Sequence, residues 1–393
     1  MPWIGIRDAT GNHGATIHTT AQYTNELGIR NSSARILPAN TVCLSRTASV
    51  GYVVVMGVPM ATSQDFVNWV CGPQLNHSFL KYVLLAERAS FLRFASGTTH
   101  QTIYFPEVKA FHIALPPRHE QDRMVAVLES LDNRITLLRQ TNSTLEAIAQ
   151  ALFKSWFVDF EPVRAKQQGL APEGMDEATA ALFPDGFEES ELGAVPAGWS
   201  YVSLKDVVSI FDSKRVPLSG QDRARRQGRY PYYGAAALMD WVDDYLFDGV
   251  YLLTGEDGSV ADAEGYPITQ YVWGKLWVNN HAHVLQGKDG VTTEHVMLAL
   301  KRTNIQPYIT GAVQAKLSQA NMWRIRFLRP PQVVSEAFGA MIELLFTKVR
   351  YNCDYADTLT SLRDTLLHRL ISGQLRLPDD SQAEAEAILE EVT

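Results

Sequence analysis

Two stretches of this chain carry apolar residues at alternating intervals of four and three positions. The seam of the first stretch consists of Met124, Leu128, Leu131, Ile135, Leu138, Asn142, Leu145, Ala149, Leu152 and Trp156. The seam of the second consists of Phe338, Ile342, Leu345, Val349, Asn352, Ala356, Leu359, Arg363, Leu366 and Leu370. A mean spacing of about 3.5 residues is typical of a coiled coil. We therefore predict two helices of about 40 residues, each about 60 Å long.

The two stretches belong to an internal repeat. Residues 97–157 recur at 311–371 with a constant offset of 214 and no gap, and Pro116-Pro117 corresponds to Pro330-Pro331. The duplication predicts two copies of one unit, each a globular part followed by a long helix. A helix with one apolar seam is not stable alone in water, so we expect the two helices to pair. Internal pseudo-two-fold symmetry favours an antiparallel coiled coil.

A polar residue interrupts each seam near its middle. The antiparallel register that places Asn142 opposite Asn352 also places Leu138 opposite Ala356, which preserves the symmetry. We expect the two asparagines to pair and to fix the register, because a buried polar residue at a seam position disfavours other alignments. The alternative is that both are solvated where the helices splay apart.

The globular parts have the pattern of mixed α/β (α+β) domains. Short apolar or alternating runs predict strands at Tyr52–Met56, Val250–Leu253 and Tyr271–Val278, separated by breaks rich in Gly, Asn and Asp. Helical spacing is found around Leu75–Phe94 and Thr293–Tyr308. We expect two globular domains of similar fold joined by the helix pair.

These patterns divide the chain of 393 residues into six segments. They are a first globular domain at 1–117, a helix at 118–164, an acidic linker at 165–198, a second globular domain at 199–330, a helix at 331–375 and an acidic tail at 376–393.

The net charge of −8 is unevenly distributed. Residues 171–195 carry seven acidic residues and no basic one, and the tail carries six and one. The first globular domain has 8 Lys and Arg against 5 Asp and Glu, and residues 199–329 have 15 against 13. Both globular parts are therefore mildly basic, which is compatible with DNA binding and equally with an ordinary soluble surface.

The cysteines and the N-terminal sequence indicate the compartment. Cys43, Cys71 and Cys353 show no CxxC or Cys/His spacing, which argues against structural zinc and against a disulfide framework. The N-terminus has no basic region followed by an apolar run, and no stretch of about 18 apolar residues occurs. We expect a cytoplasmic protein that does not cross a membrane.

Sequence signatures of catalysis are absent. The chain has no N/D-P-P-Y/F motif, no glycine-rich S-adenosylmethionine loop and no P-loop. The acidic residues between 256 and 264 do not have EF-hand spacing, and His281 and His283 lack a third ligand nearby in the sequence. We predict neither catalytic residues nor a bound metal.

Several motifs resemble, in order, those of type I restriction–modification specificity subunits. The stretch 114–162 resembles the central conserved region of these subunits, and 182–199 resembles the segment before their second target-recognition domain. Shorter similar motifs lie at 44–51, 61–66, 97–105, 230–234, 252–259, 277–284 and 311–319. The resemblance covers nearly the whole chain and includes the duplication.

The sequence departs from the family pattern at its start. The second copy has the stretch from Trp199 to Arg229 before its first matching strand, whereas the first copy starts near Trp3. We expect a late-assigned start or a natural truncation, with consequences for the integrity of the first recognition domain.

The resemblance implies a non-catalytic, sequence-specific subunit that binds double-stranded DNA. Each recognition domain would read one half of a bipartite target, and the helices would set the distance between the halves. The helices would also bind adenine-methyltransferase subunits, with motor-nuclease subunits joining for restriction. S-adenosylmethionine, ATP and Mg are expected only on those partners. Two alternatives stay open: a truncated or orphan subunit that acts only as a scaffold, and a DNA-modifying enzyme with unrecognised motifs.

Candidate DNA contacts follow from side-chain chemistry. Asn and Gln can bond the edge of adenine, and Arg that of guanine. Candidate base readers beside turn signals are Arg46, Thr47, Gln64, Asn279, Asn280 and Gln314. A basic stretch suited to phosphates contains Lys214, Arg215, Arg223, Arg225, Arg226 and Arg229. The alternatives are that the paired asparagines bond their own loop backbone and that the basic stretch is only a solvated face.

Overall fold

The computed structural model of the chain describes residues 1–95, 101–311 and 314–377. They form two compact units. The first unit combines Met1–Leu138 with the chain from Tyr355 onward, and the second is Arg139–Asp354. The units thus divide both long helices near their middle, whereas the sequence placed boundaries at the helix ends. Gly97, where the repeat begins, and all but two residues of the acidic tail lie outside the described residues.

Short elements precede the long helix of the first unit. In chain order the elements are β1 (Pro2–Ile4), α1 (Ile6–Gly11), β2 (Thr16–Ile17), β3 (Gln22–Tyr23), α2 (Glu26–Arg30), β4 (Val42–Ser45), β5 (Val53–Met56), β6 (Ala61–Thr62), β7 (Phe66–Trp69), α3 (His77–Ala86), α4 (Arg88–Phe94), α5 (Phe105–Lys109) and α6 (Arg118–Phe157). A four-stranded sheet has the order β2-β5-β4-β7, and a three-stranded sheet has the order β3-β1-β6. Strands β4 and β5 are buried along their whole length, as expected of valine-rich strands covered on both faces.

Two predictions for the first unit can be compared with its elements. The strand predicted at Tyr52–Met56 is confirmed as β5. The helix predicted over Leu75–Phe94 forms as two helices, α3 and α4, because Glu87 caps the end of one and the start of the next.

The second unit begins in the second half of α6. Its further elements are α7 (Glu161–Gln167), α8 (Glu177–Ala181), β8 (Phe187–Ser190), β9 (Gly193–Pro196), β10 (Ser200–Ser203), β11 (Val208–Ile210), α9 (Gly220–Arg225), β12 (Gln227–Tyr233), β13 (Leu238–Val242), β14 (Phe247–Gly255), β15 (Thr269–Val278), β16 (Ala282–Gly287), α10 (Thr293–Leu300), α11 (Gln319–Met322), β17 (Arg326–Arg329) and α12 (Gln332–Ile371). Short 3₁₀ helices lie at Leu204–Asp206, Asp212–Lys214 and Gln306–Tyr308.

The predicted acidic linker, 165–198, is more ordered than its composition indicated. It contains the end of α7, all of α8 and the β8–β9 hairpin. Phe183 and Val195 are buried in the main core of the second unit. The short length of these elements explains why no sustained period marked them.

A six-stranded sheet organises the second unit, with the order β11-β16-β14-β15-β12-β13. The predicted strands at Val250–Leu253 and Tyr271–Val278 lie within β14 and β15 and are confirmed. Gly249 and Gly274 face each other in this antiparallel pair, and both have positive φ, 142° and 77°. Glycine adopts such angles readily and often marks a bend inside a strand, so β14 and β15 can curve at this register pair.

The helices α6 and α12 pack antiparallel in both units. In the first unit one cluster contains Leu131, Ile135, Leu138, Ala356 and Leu359, with Leu366 packed against it, and Leu128 lies in a cluster with Leu367 and Leu370. In the second unit Leu145 and Leu152 pack against the core that contains Ile342 and Val349, as does Leu345. Every predicted seam residue is buried or partly buried. The predicted coiled-coil seam and helix direction are confirmed.

The two seam asparagines pair. Asn352 Nδ2 donates to Asn142 Oδ1 at 2.8 Å, and Asn142 Nδ2 donates to the carbonyl oxygen of Val349 at 3.1 Å. Both side chains are buried. The predicted pairing is confirmed, and the alternative of two solvated asparagines is wrong; fixing of the register stays a prediction.

The two copies differ at the strand before each long helix. In the second unit β17 pairs antiparallel with β10. The corresponding residues of the first unit, 112–115, lie in no strand, and among the described residues nothing pairs with their backbone as β10 pairs with β17. The repeat therefore conserves the helix more closely than the sheet that leads into it.

Candidate nucleic-acid interface

The candidate readers of the first unit lie together between β4 and β7. The backbone N–H of Arg46 donates to the carbonyl oxygen of Asp65 at 2.7 Å, and its Nε donates to that of Gln64 at 3.0 Å. The hydroxyl of Thr47 donates to the Asp65 carboxylate. The Arg46 guanidinium lies over the ring of Phe105, 5.2 Å from its centre. Of the three candidates, Gln64 is the exposed one; base reading by all three stays a prediction.

Arg215 belongs to a largely buried ion-pair cluster of the second unit, whose arginine and carboxylate side chains are 11–16% exposed. Its Nη1 donates to Glu256 Oε2 at 2.8 Å and to the carbonyl oxygen of Ala282 at 2.6 Å. Its Nη2 lies 3.2 Å from Asp212 Oδ2, and only 11% of the side chain is exposed. Protein acceptors occupy this guanidinium in the described structure, and a phosphate contact by Arg215 stays a prediction. The cluster holds together the segments that follow β11 and β14.

The same cluster contains a set of side chains with metal-ligating atoms. Asp212, Glu256 and His283 place one such atom each within 4.8 Å of the others. Arg215 bonds both carboxylates, and the ring nitrogens of His283 lie 2.6 Å from Asp212 Oδ2 and 2.8 Å from the carbonyl oxygen of Leu317. The guanidinium supplies the positive charge that a metal would otherwise bring. The cluster is therefore explained as a largely buried ion-pair network.

Arg223 and Arg226 are paired with carboxylates of the neighbouring hairpin. Arg223 Nε donates to Asp240 Oδ2 at 3.0 Å. Arg226 Nε donates to Asp243 Oδ1 at 2.9 Å, and its guanidinium lies 4.9 Å from the ring centre of Trp277. These contacts fix α9 against β13. Acidic side chains of the chain itself neutralise both arginines in the described structure, and phosphate contacts by Arg223 and Arg226 stay a prediction.

The other three cations of the basic stretch differ from Arg215, Arg223 and Arg226 in their exposure and in their partners. Lys214, Arg225 and Arg229 are exposed, and the part of the chain that the structure describes offers them no carboxylate within 4.0 Å. Arg229 donates to the phenolic oxygen of Tyr230 at 2.8 Å and lies over its ring. These three remain candidates for phosphate contacts.

The asparagine pair divides into a structural and an exposed member. Asn279 is buried, and its Oδ1 accepts the backbone N–H of His281 at 2.8 Å. The alternative of a loop that bonds its own backbone is therefore correct for Asn279, which is not placed to read bases. Asn280 is exposed. Asp257 accepts from Gln314 Nε2 at 3.3 Å and lies 2.6 Å from His281 Nδ1.

Asp257 thus joins the loop after β14 to the one after β15 and to the segment containing Gln314. The sequence analysis considered this residue only as part of a possible metal loop, although its position directly after a buried strand was a usable signal. Asn280 and Gln314 lie at the surface of these joined loops, and base reading by either stays a prediction.

Comparisons with known proteins agree with this architecture. The sequence model described as type I restriction modification DNA specificity domain matches residues 1–147 and 196–333. The chain is 23% identical over 397 residues to the type I restriction enzyme MjaIX specificity subunit of Methanocaldococcus jannaschii. This match covers 96% of this chain and 88% of that protein. It is 26% identical over 343 residues to the HindI specificity subunit of Haemophilus influenzae, over 71% of this chain and 72% of that protein.

A solved structure shares the fold. The S subunit of a type I restriction-modification system from M. genitalium has a TM-score of 0.52 and 17% identity to this chain, and the match covers 91% of this chain and 87% of that one. Separately, every helix in the described part of the chain is too short or too polar to cross a bilayer.

Proposed function

Since this chain belongs to the type I restriction modification DNA specificity domain family, we propose that it reads a bipartite DNA target as the specificity subunit of a type I restriction–modification complex. Its role is recognition of DNA sequence, and it is not the catalytic subunit. The observation that carries the proposal is the double family match, at 1–147 and 196–333. Each match covers one globular part and reaches into the following long helix, so each copy would read one half of the target.

The distribution of unpaired charge supports DNA binding by the second unit. Three exposed cations, Lys214, Arg225 and Arg229, have no carboxylate partner among the described residues. Exposed cations that no carboxylate of the described chain neutralises can neutralise phosphates and release the counterions that surround DNA. Asn280 and Gln314 lie in exposed loops of the same unit, and their amide groups can bond to base edges.

The exposed faces of the helices support docking of two similar partners. Leu137 is 52% exposed and Ile148 is 44% exposed on α6. Their equivalents in the repeat, Tyr351 and Leu362 on α12, are 57% and 38% exposed. Apolar side chains at equivalent positions of two copies would give two like binding faces. Adenine-methyltransferase subunits would occupy these faces, and motor-nuclease subunits would join them for restriction.

The chemistry would then reside on the partners. S-adenosylmethionine would be bound by the methyltransferase subunits, and ATP and Mg would be bound by the motor-nuclease subunits. This chain would need no cofactor of its own. We place the assembled complex in the cytoplasm, where chromosomal DNA of a prokaryotic host is accessible.

Methylation-aware sequencing of the host genome tests the proposal. Strains with and without this gene should differ in one bipartite adenine-methylated motif, which disappears on deletion and returns on complementation. A matched strain that carries a methyltransferase-subunit deletion should lose the same motif. Unchanged adenine methylation in the strain that lacks this gene would contradict the proposed function.

A further inference from the structure

An exposed apolar strip lies on the edge strand of the large sheet. Among the described residues, strand β13 pairs with β12 alone and ends the strand order of the six-stranded sheet. Leu238 is 41% exposed, Met239 is 54% exposed and Trp241 is 48% exposed. We call these three residues the β13 strip. Several large exposed apolar side chains close together on one strand can mark a surface that another molecule covers.

The strip rests on a well-fixed backbone. The carboxylate of Asp240, between Met239 and Trp241, accepts from Arg223 Nε at 3.0 Å and from Gln227 Nε2 at 3.1 Å. Its Oδ1 also accepts the backbone N–H of Trp241 at 2.9 Å. A residue on a fixed strand enters a partner with little further loss of conformational entropy. The indole is therefore presented by a rigid support.

One end of the strip adjoins the candidate reading loops. Met239 Sδ lies 3.6 Å from Asn279 Nδ2, next to the exposed Asn280. Gly234 allows this packing, because a Cβ added there would lie 2.4 Å from the same sulfur. The strip is thus continuous with the loop after β15.

Two exposed cations without a carboxylate partner in the described structure lie on α9 and β12, the elements next to β13. Arg225 ends α9, which bonds β13 through Arg223 and Asp240. Arg229 lies two residues before Pro231, the register partner of Trp241. An aromatic side chain near cations that have no carboxylate partner in the described structure is suited to nucleic acid, since cations contact phosphates while the ring meets a base.

The strip lies away from the surface that the helices cover. The halves of α6 and α12 in this unit pack on the main core, which includes Leu252 of β14 and Leu285 of β16. Strand β13 instead contributes Val242 to a separate small cluster with Tyr232 and Trp277. Partners that dock on the helices would therefore not account for the β13 strip.

We propose that the β13 strip is an apolar wedge for duplex DNA, with Trp241 inserting against one base step and Met239 supporting it. This inference rests on the proposed function and names a residue that would set specificity. An inserted side chain unstacks the step that it enters, and the cost depends on the sequence there. The second unit would thus select its half-site partly by how readily one step opens.

Duplexes that carry 2-aminopurine at single positions of the selected half-site test the wedge. Wild-type chain should raise the fluorescence of 2-aminopurine at one step, which reports unstacking. Trp241→Ala should lose this rise and bind the half-site about tenfold more weakly, with less effect on unrelated duplexes. Trp241→Phe should retain part of both. Leu344→Ala, a change at an apolar side chain of α12 that is 74% exposed, is the matched control and should change neither.

The possible outcomes separate the inference from the proposed function. If wild-type chain shows no sequence-selective binding, the proposed function fails. If wild-type chain binds selectively while Trp241→Ala leaves affinity and 2-aminopurine fluorescence unchanged, only the wedge fails. Loss of methyltransferase-subunit binding in Trp241→Ala, with DNA binding intact, would show the strip to be a protein interface and would also overturn the inference. Equal thermal unfolding midpoints of all variants would confirm that they are folded.

Discussion

At the residue scale, His295 is a polar side chain that the core buries without a hydrogen-bond partner for its ring nitrogens. The ring is 1% exposed, and neither nitrogen has a hydrogen-bond partner in the described structure. Its centre lies 4.5 Å from the ring centre of Phe157 and 4.9 Å from that of Phe338. Burial among these apolar rings lowers the pKa of His295 to about 3. The folded protein therefore keeps this side chain neutral.

This pKa shift predicts a specific loss of stability on acidification. An unfolded histidine takes up a proton below about pH 6.5, whereas the folded one resists it until about pH 3. Stability is thus fully present above about pH 6.5 and falls as the pH is lowered towards 3, by about 2 kcal/mol at pH 5. His295→Phe should remove this part of the pH dependence in urea unfolding. His119→Phe, at an exposed site, is the control. The prediction would be refuted if the free energy of unfolding depended on pH equally in wild type and His295→Phe.

Three surface cations lead to a prediction on DNA affinity. Replacing Lys214, Arg225 and Arg229 by Ala should weaken binding to all duplexes alike. It should also reduce the slope of log affinity against log salt by about 0.9 for each phosphate that the variant no longer neutralises. Fluorescence anisotropy at several salt concentrations measures both. Lys348→Ala on α12 serves as the control, and a change confined to sequence preference would contradict binding to phosphate.

Internal pairing explains why these residues, rather than the whole basic stretch, are the useful targets. A basic run has the same sequence whether it faces phosphate or carboxylate. The partner of Arg223 is Asp240, 17 positions away, and that of Arg215 is Glu256, 41 positions away. Neither pairing could be derived from local spacing. The role of Asn279 could, because an asparagine before a turn commonly bonds its own backbone.

At the element scale, the long helices were the most predictable part of the fold. Their seams recur over 40 residues, and each has a second copy of the same pattern as its partner. The sheets were less predictable. Strands such as β2 and β6 are two residues long, too short to show alternation, and their neighbours in the sheets are distant in sequence. The helix over Leu75–Phe94 was predicted, but its division at Glu87 was not.

The paired seam asparagines give a prediction on helix register. Asn352→Leu alone should destabilise the protein by about 1–3 kcal/mol, because Asn142 Oδ1 would be buried without its donor. The double change to Leu should restore much of that loss. Denaturant unfolding of both single variants and the double variant measures this coupling. Asn133→Leu, at an exposed site of α6, is the control.

The same double variant tests whether the asparagines fix the alignment. Cysteines introduced as Leu138→Cys and Ala356→Cys face each other in the observed register, where both native residues belong to one cluster. Their disulfide yield should fall when both asparagines are Leu, because an apolar seam tolerates sliding. An unchanged yield would show that the asparagine pair does not set the register.

At the scale of the whole molecule, the first unit is made from two separate pieces of chain, and the second is one continuous piece that includes half of each long helix. The first unit needs α12 residues from Tyr355 onward, and the second needs α6 residues from Arg139. A break after Leu170, which is 60% exposed, would leave each fragment with incomplete parts of both units. Fragments 1–170 and 171–393 should therefore be unstable alone and should co-purify and bind DNA when co-expressed. Cooperative unfolding of isolated 1–170 would argue against this interdependence.

The division of each long helix between the two units has an evolutionary consequence. A gene break or exchange in the middle of α6 or α12 removes residues from both units. An exchange at Pro116-Pro117 and Pro330-Pro331 keeps both helices whole. Recombination should thus tolerate replacement of one recognition domain only when the recombination junctions fall at these prolines. The recognised DNA sequence could then change quickly, by exchange of one globular domain, while the two long helices change slowly.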